Sequence, residues 1–549
     1  MIGGKTVEQV LKITPVLSPE MEHEIAEWTD MYKNKAPWLK EPTMSDPSRI
    51  VSLGLPSLIA SEKARMAVLE WQSDITAPTV EIEEANEEYE APQKDEFGNL
   101  IPTAQPATIK EQKPVGSEER AKFLNEQYKK LKKHIRKQLE YGIAKGGLVI
   151  KPYVVINENT NGTTIPKYSM EFDFIQADAF YPIAFNASGE ITEAAFIQTK
   201  AEKDVTYRRL EYHKLEGNKV TVINRAFKST ENNGNTGPST GVELGQEIPL
   251  TTVYEWKDLK PKVVIEEVTK PLFAYFKMPE ANTIDPNSPL GVSGYSRAKQ
   301  LIKDADMQYS RLLWEYEGGE LAIAIDRDAL KFVEETGSTL THFQSRIYRR
   351  VDIGEEDLYQ PYAPSLRDSA YIQGLNTILM RIEDATGLSR GTLSEDNMNV
   401  ARTATELKIL KQRSFSTNAE IQHALEDALR DVIYVMNTYC SLYQITPEGE
   451  YDVSFEWDDS ILVDAEAELE NRIILMQNGL AGRLENRMWY FGETERQATE
   501  ALIQIDSENL KTMETELARE YNQNRMENTM QTSGDRDNMR RFDVKEDFD

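Results

Sequence analysis

SRAKQLIKDADMQYSRLLWEYEGG (residues 296–319) and RDSAYIQGLNTILMRIEDATGL (residues 367–388) decide how this chain is read. The first alternates polar and apolar residues at helical spacing from Ser296 to Glu317 and stops at Gly318-Gly319, a natural C-terminal breaker. At about 1.5 Å per residue it is a rod of roughly 30–35 Å. The second predicts a helix from about Arg367 to Ala385 that stops at Gly387. Between them lies a compact segment with strand-like runs, Ala322-Ile323-Ala324-Ile325 and Arg346-Ile347-Tyr348, closed by Pro361 and Pro364. Two long helices bracketing a small β-containing unit describe a stalk with a cap.

On the C-terminal side, a polar loop from Leu388 to Val400 leads into a helical stretch running to Tyr439. Its second half carries Ile421, Leu425, Leu429, Val432, Ile433 and Met436 on one face. A short β run, Tyr451 to Trp457, precedes helices that reach about residue 526 and a polar tail expected to be disordered. On the N-terminal side, residues from Gly146-Gly147 to about Ile265 fall into short β-rich runs such as Leu148-Val149-Ile150 and Val220-Thr221-Val222-Ile223. Turn residues such as Asn186-Ala187-Ser188-Gly189 separate them at the spacing of an antiparallel domain. The Asn/Gly/Thr/Ser run from Ser229 to Gly241 reads as a loop. Helices are predicted over about 57–72, after the breaker Gly54-Leu55-Pro56, and over 117–141, where Phe123, Leu124, Leu131, Ile135 and Leu139 share one side. The lysines of that second helix form a basic face suited to solvent or to a neighbouring subunit more than to DNA. Between the two helices, Glu81 to Glu96 holds eight acids and one lysine and leads to a Pro-containing run ending at Pro114, an exposed loop or hairpin insertion.

With 549 residues the chain exceeds the size of one hydrophobic core, and at 40% apolar and 28% charged residues it has a globular composition. No stretch approaches the roughly 18 apolar residues of a membrane span, and Met1-Ile2-Gly3-Gly4-Lys5 has no apolar core of a signal peptide, so a soluble chain made in the cytoplasm is expected. A single cysteine, Cys440, excludes an internal disulfide and a Cys-rich zinc site. The balance of 63 basic to 92 acidic residues, −29 in total, disfavours a protein that holds nucleic acid by a general cationic surface. It permits a conduit whose acidic wall repels the DNA backbone.

No catalytic constellation is visible. The five histidines stand alone, Gly4-Lys5-Thr6 lacks the rest of a phosphate-binding loop, and Gly291-Val292-Ser293-Gly294-Tyr295 lacks the last glycine of a nucleophile elbow. The expectation is a non-enzymatic protein with no metal and no cofactor.

Several motifs in fixed order resemble the portal proteins of bacteriophages with long non-contractile tails that infect Gram-positive bacteria. They are Ile59-Ala60-Ser61-Glu62-Lys63-Ala64-Arg65; Glu140-Tyr141-Gly142 through Gly147-Leu148-Val149-Ile150-Lys151-Pro152-Tyr153; and Ile175 to Pro182. Tyr207 to His213 and Asn224-Arg225-Ala226-Phe227 follow. The most telling is Asn282-Thr283-Ile284-Asp285-Pro286-Asn287-Ser288-Pro289-Leu290-Gly291-Val292-Ser293 running into the first long helix. Ala385-Thr386-Gly387-Leu388, Arg402 to Glu406 and Phe455-Glu456-Trp457-Asp458-Asp459-Ser460 complete the set, which spans about residues 50 to 510.

The resemblance implies an α+β portal fold with wing, two-helix stem, small α/β clip and helical crown, assembled as a ring, usually of twelve subunits. Mapped here, it implies a wing over 1–293 and 402–464, stem helices over 294–319 and 367–387, a clip over 320–366, a tunnel loop over 388–401, a crown over 465–526 and a disordered tail over 527–549. Ser389, Arg390, Ser394, Glu395, Asp396, Asn397, Met398 and Asn399 would line the DNA channel. In the clip, Arg346, Arg349 and Arg350 are left open between DNA and acidic groups on the packaging motor, an adaptor or the next subunit. The implied partners are further copies of the chain, the terminase large subunit, head-tail adaptor or connector proteins, major capsid and scaffolding proteins, and double-stranded DNA in passing. A virion scaffold without a pore and a nucleic-acid-processing ATPase are the alternatives.

Overall fold

The computed structural model describes residues 4–39, 50–69, 71–84, 109–114, 118–157, 167–203, 205–230, 244–318, 322–326, 347–350, 359–362, 365–395, 404–457 and 465–492, with short helical pieces between 497 and 511. It divides into two compact units, Met1–Asp458 and Asp459–Asp549.

The first unit opens with α1 (Gly4–Leu11), α2 (Pro19–Tyr32) and α3 (Leu55–Val68). Ser18 caps α2, accepting a hydrogen bond from the Met21 amide at 3.4 Å, and Pro19, Glu20 and Glu22 occupy the first turn where fixed φ and negative charge suit a helix N-terminus. Neither α1 nor α2 was expected from the sequence. β1 (Trp71–Thr76) and the hairpin arms β2 (Thr79–Glu84) and β3 (Ile109–Pro114) follow, the last two paired antiparallel from Thr79–Pro114 to Glu84–Ile109. The acidic insertion is therefore a hairpin at its base. α4 (Glu118–Lys145) then runs four residues beyond the expected end, because Gly142, Ile143, Ala144 and Lys145 are all buried.

The helix expected over 57–72 is cut short at Val68, a correction with a clear cause. Trp71–Thr76 buries alternate residues and pairs antiparallel with β16 (Asp452–Trp457), Trp71 opposite Trp457 and Ile75 opposite Val453. A strand nearly four hundred residues away in sequence overrides the local helical pattern.

Two antiparallel sheets fill the region read as β-rich. β4 (Gly147–Asn157), β5 (Lys167–Gln176) and β12 (Ala274–Lys277) are ordered β12-β4-β5. β6 (Phe180–Phe185), β7 (Ile191–Glu202), β8 (Val205–Glu216), β9 (Lys219–Thr230) and β10 (Gln246–Ile248) are ordered β10-β9-β8-β7-β6, with β11 (Lys262–Glu266) also on β9. Between the sheets sits a buried charge cluster. Glu211 accepts from Lys151 at 2.7 Å, pairs with Arg209 at 2.9 Å, and lies 2.7 Å from His213 Nε2. Burial alone would raise the Glu211 carboxyl, but Lys151, His213 and Arg209 together hold it well below the usual range. Burial, reinforced by the two nearby cations, lowers His213 and keeps it neutral.

α5 (Lys299–Gly318) and α6 (Asp368–Thr386) are the two long helices, and the three strands between them form one mixed sheet. β13 (Ala322–Asp326) is central, parallel to β14 (Ile347–Arg350) and antiparallel to β15 (Tyr359–Tyr362). Pro361, expected only to close the segment, sits in β15 at the sheet edge, the position where a missing N–H is tolerated. α7 (Ala404–Leu442) is the long helix expected, and Leu425, Leu429, Val432, Ile433 and Met436 lie in the main core with Ile302 and Ala305 of α5 and Ile382 of α6. Each of these leucine, isoleucine, valine and methionine side chains contributes about 1.5–3 kcal/mol by leaving water.

Arg120 joins the start of α4 to the end of α7. Only 2% exposed, its guanidinium donates to Asn437 Oδ1 at 2.7 Å, Ser441 Oγ at 3.0 Å, Thr446 Oγ1 at 2.8 Å and the Thr446 carbonyl at 3.0 Å. A cation among the last carbonyls of a helix is favourably placed against its dipole.

In the second unit, α8 (Ala465–Gln477) and α9 (Arg483–Phe491) are the described helices, with the Arg472 guanidinium 4.3 Å above the Trp489 ring.

Candidate functional site

The root of the helix pair is fixed before any exposed residue is reached. Gly146 has φ +88°, and a Cβ on it would stand 2.6 Å from the Gly291 carbonyl, so the segment leading into α5 passes directly over the α4–β4 junction. Gly294 N–H donates to the Ile143 carbonyl at 2.9 Å, and the Tyr295 hydroxyl donates to the Trp28 carbonyl at 2.8 Å. Lys63, 1% exposed, donates to the Gly294 carbonyl at 2.9 Å and pairs with Glu280 at 3.1 Å; burial lowers its ammonium despite that partner. About two turns into α5, Asp306 accepts the Leu53 amide at 2.8 Å and the Trp38 indole N–H at 3.0 Å. Burial raises the Asp306 carboxyl, partly offset by these two donors. These contacts fix α5 against the N-terminal helices.

At the far end of the pair, Arg367 grips Glu315 with Nε at 3.2 Å and Nη2 at 3.0 Å, and adds its own backbone amide at 3.2 Å. Hydrogen bonding from Arg367 holds the Glu315 carboxyl below its usual value. Near this end, Trp314 (67% exposed), Tyr316, Leu366 and Ile372 present apolar surface to solvent.

α6 ends at Gly387, φ +75°, whose amide donates to the Glu383 carbonyl. The chain that follows is folded back and fastened. Glu383, 0% exposed, accepts the Leu393 amide at 2.6 Å, the Ser394 amide at 2.9 Å and the Ser394 hydroxyl at 2.8 Å. Asn376, two turns earlier on α6, accepts the Glu395 amide at 2.7 Å and donates to the Glu395 carbonyl at 3.0 Å. From α7, Ser414 Oγ meets the Ser389 amide at 2.6 Å and the Ser389 hydroxyl at 2.7 Å. Asp384 receives Arg390 at 2.9 and 3.3 Å and Arg413 at 3.0 Å, and hydrogen bonding from Arg390 leads in lowering its carboxyl.

The sequence-predicted site residues fall into two groups. Ser389, Arg390, Ser394 and Glu395 are brought together in the loop after α6, held by side chains of α6 and α7, with Ser394 buried and Arg390 paired with Asp384. Asp396, Asn397, Met398 and Asn399 lie outside the described residues, as does Arg346. Arg349 and Arg350 pair through the backbone with Ile325 and Asp326 of β13. The fastening residues themselves, Asn376, Glu383, Asp384, Arg413 and Ser414, were missed. Their one visible signal is Glu383-Asp384 in the last turn of a helix, where acids are unfavourable against the dipole unless donors nearby hold them.

A match to a family model now bears on this geometry. Residues 105–483, more than two thirds of the chain, match the family described as phage portal protein, SPP1 Gp6-like. The chain belongs to this family of phage portal proteins. In the portal chain the matched span contains α4, both sheets, the helix pair with its intervening strands, the fastened loop and α7. The family is structural rather than catalytic and places the portal protein in the virion capsid. No curated protein sequence matches the chain. Among the described residues no group of His, Cys, Asp and Glu is arranged to hold a metal ion, and no helix is long and apolar enough to cross a membrane.

Proposed function

We propose that the chain is one subunit of a dodecameric ring at a single capsid vertex, through which double-stranded DNA is packaged and later ejected. The family match over residues 105–483 carries this reading. In it, α5 and α6 are the stem, the sheet of β13, β14 and β15 is the clip, and the second unit contributes the crown. The ring seeds capsid assembly with scaffolding and major capsid proteins, docks the terminase, and afterwards holds the head-tail adaptor and connector. ATP is hydrolysed by the terminase and not by this chain.

Three features support the reading. The apolar ends of the stem, Trp314, Tyr316, Leu366 and Ile372, suit a neighbouring stem better than water. Net charge of −29 per copy suits a channel that DNA slides past, since phosphates meet repulsion and not a deep binding minimum. The sequence after the fastened loop carries Asp396, Asn397 and Asn399, polar residues suited to weak contact that ignores base sequence, while Arg390 is already committed to Asp384.

Electron microscopy of the purified protein tests the proposal. Top views with rotational symmetry and a central hole are expected; particles without symmetry or pore would return the chain to a scaffold of another kind.

A further inference from the structure

The helix α4 carries a cationic stripe that nothing within the described chain uses. Lys122, Lys129, Lys133, Arg136 and Lys137 are all exposed, and at 3.6 residues per turn they fall within about 100° of arc on the side opposite Leu124, Leu131, Ile135 and Leu139. The stripe is roughly 22 Å long. Glu126 is the one acid within it. The other cations of the same helix are all engaged: Arg120 with the end of α7, Lys130 with Ser169 and Glu171, Lys132 with the Ser73 carbonyl and the Trp71 ring, and Lys145 with Asp178. None of the five stripe cations has an ion pair or hydrogen bond to a described residue. In a chain with 92 acidic residues against 63 basic, five neighbouring cations on one helix face with no partner among the described residues run against the composition.

The complement lies in the same sequence. The hairpin that precedes α4 carries Glu81, Glu83, Glu84, Glu87, Glu88, Glu90, Asp95 and Glu96, with Lys94 as the only base of that stretch. Three of these acids, Glu81, Glu83 and Glu84, lie on β2, the arm paired antiparallel with β3. We propose that the acidic hairpin segment 81–96 of one copy docks on the α4 stripe of the neighbouring copy, so that the insertion is an intersubunit arm. This rests on the ring assembly proposed above. Copies carrying −29 each repel one another, and pairing the densest acidic segment with the freest basic face removes that repulsion where neighbours meet. A partner copy is favoured over DNA because DNA supplies no reason for eight acids in the segment that precedes the stripe in sequence, and acids would repel it.

The test uses the full-length protein with Lys133→Cys and Glu88→Cys installed together; the native Cys440 is buried and stays out of the reaction. After mild oxidation of assembled material, a denaturing gel is expected to show a ladder of disulfide-linked multimers that collapses on reduction. Only cross-linked monomer would place the hairpin on its own α4, and no cross-link in rings verified by microscopy would leave the stripe without this occupant; each overturns the proposal. If no rings form at all, it is the ring reading that fails, and this proposal with it. A second variant, Lys122, Lys129, Lys133 and Lys137→Gln together, is expected to raise the protein concentration for half-assembly roughly tenfold at 0.15 M salt, with little difference at 1 M where the Debye length is about 3 Å. Loss of nonspecific DNA affinity in that variant with unchanged assembly would assign the stripe to DNA and overturn the proposal.

Discussion

The Glu383 carboxylate and Ser394 are joined twice, through the Ser394 amide at 2.9 Å and its hydroxyl at 2.8 Å, in a site from which water is excluded. With the Leu393 amide at 2.6 Å, three donors converge on one carboxylate. The loop after α6 therefore begins from a fixed platform, and whatever residues 396–400 touch, they start from Glu395 clamped by Asn376. Glu383→Ala leaves three buried donors unpaired and is expected to cost about 1–3 kcal/mol. Glu383→Gln is expected to cost less, because its carbonyl oxygen still accepts and the Ser394 hydroxyl can turn to accept from the new amide. Amide hydrogen exchange at Leu393 and Ser394 reports it: protection is lost in the alanine variant. Unchanged protection would show that the carboxylate is not the fastening.

The buried charge cluster gives the two larger sheets a pH dependence. His213 is lowered from 6.5, so below that pH the unfolded chain takes up a proton that the folded one refuses. The stability it contributes is complete above 6.5 and is lost as pH falls through its lowered value. Glu211 is lowered well below 4.5, so a second loss begins as pH falls below 4.5. Denaturant midpoints measured from pH 8 to 4 are expected to fall in two stages, and the first stage is expected to vanish in His213→Phe. A midpoint that rises on acidification would contradict the neutral assignment of His213.

How much of this was legible in the sequence differs by element. The helix pair was readable because Gly318-Gly319 and Gly387 stop two apolar-periodic runs, and Gly387 does sit at the left-handed position. The β region was readable because turn residues such as Asn186 to Gly189 punctuate it. β1 was not, because its partner among the described residues, β16, lies in a distant part of the chain and its apolar residues continue the pattern of α3. Asn376 and Glu383 were not, because their partners are backbone amides of a loop, which leave no trace in residue identity.

Arg120 offers a sharper test of packing. Arg120→Ala removes a guanidinium from neutral acceptors that have no water to replace it, and a cost of roughly 2–4 kcal/mol follows. Chemical denaturation checks this, and the end of α7 near Ser441 is expected to lose exchange protection first. A change within about 0.5 kcal/mol would show that solvent reaches these acceptors.

Trp314 separates folding from assembly. Trp314→Ser changes a residue that is 67% exposed and is expected to alter subunit stability by no more than about 0.5 kcal/mol. Ring formation, followed by sedimentation velocity, is expected to weaken markedly. Rings of unchanged stability would place the apolar end of the helix pair away from the subunit contact.

The most direct measurement of the account is a reconstruction of the assembled particle at side-chain resolution. It is expected to show a symmetric ring whose channel is narrowest at residues 395–400, with Glu383 still holding Leu393 and Ser394 and with α5 and α6 facing the neighbouring pair. A particle without a channel, or a channel lined at its narrowest by another segment while residues 395–400 face outward, would contradict it.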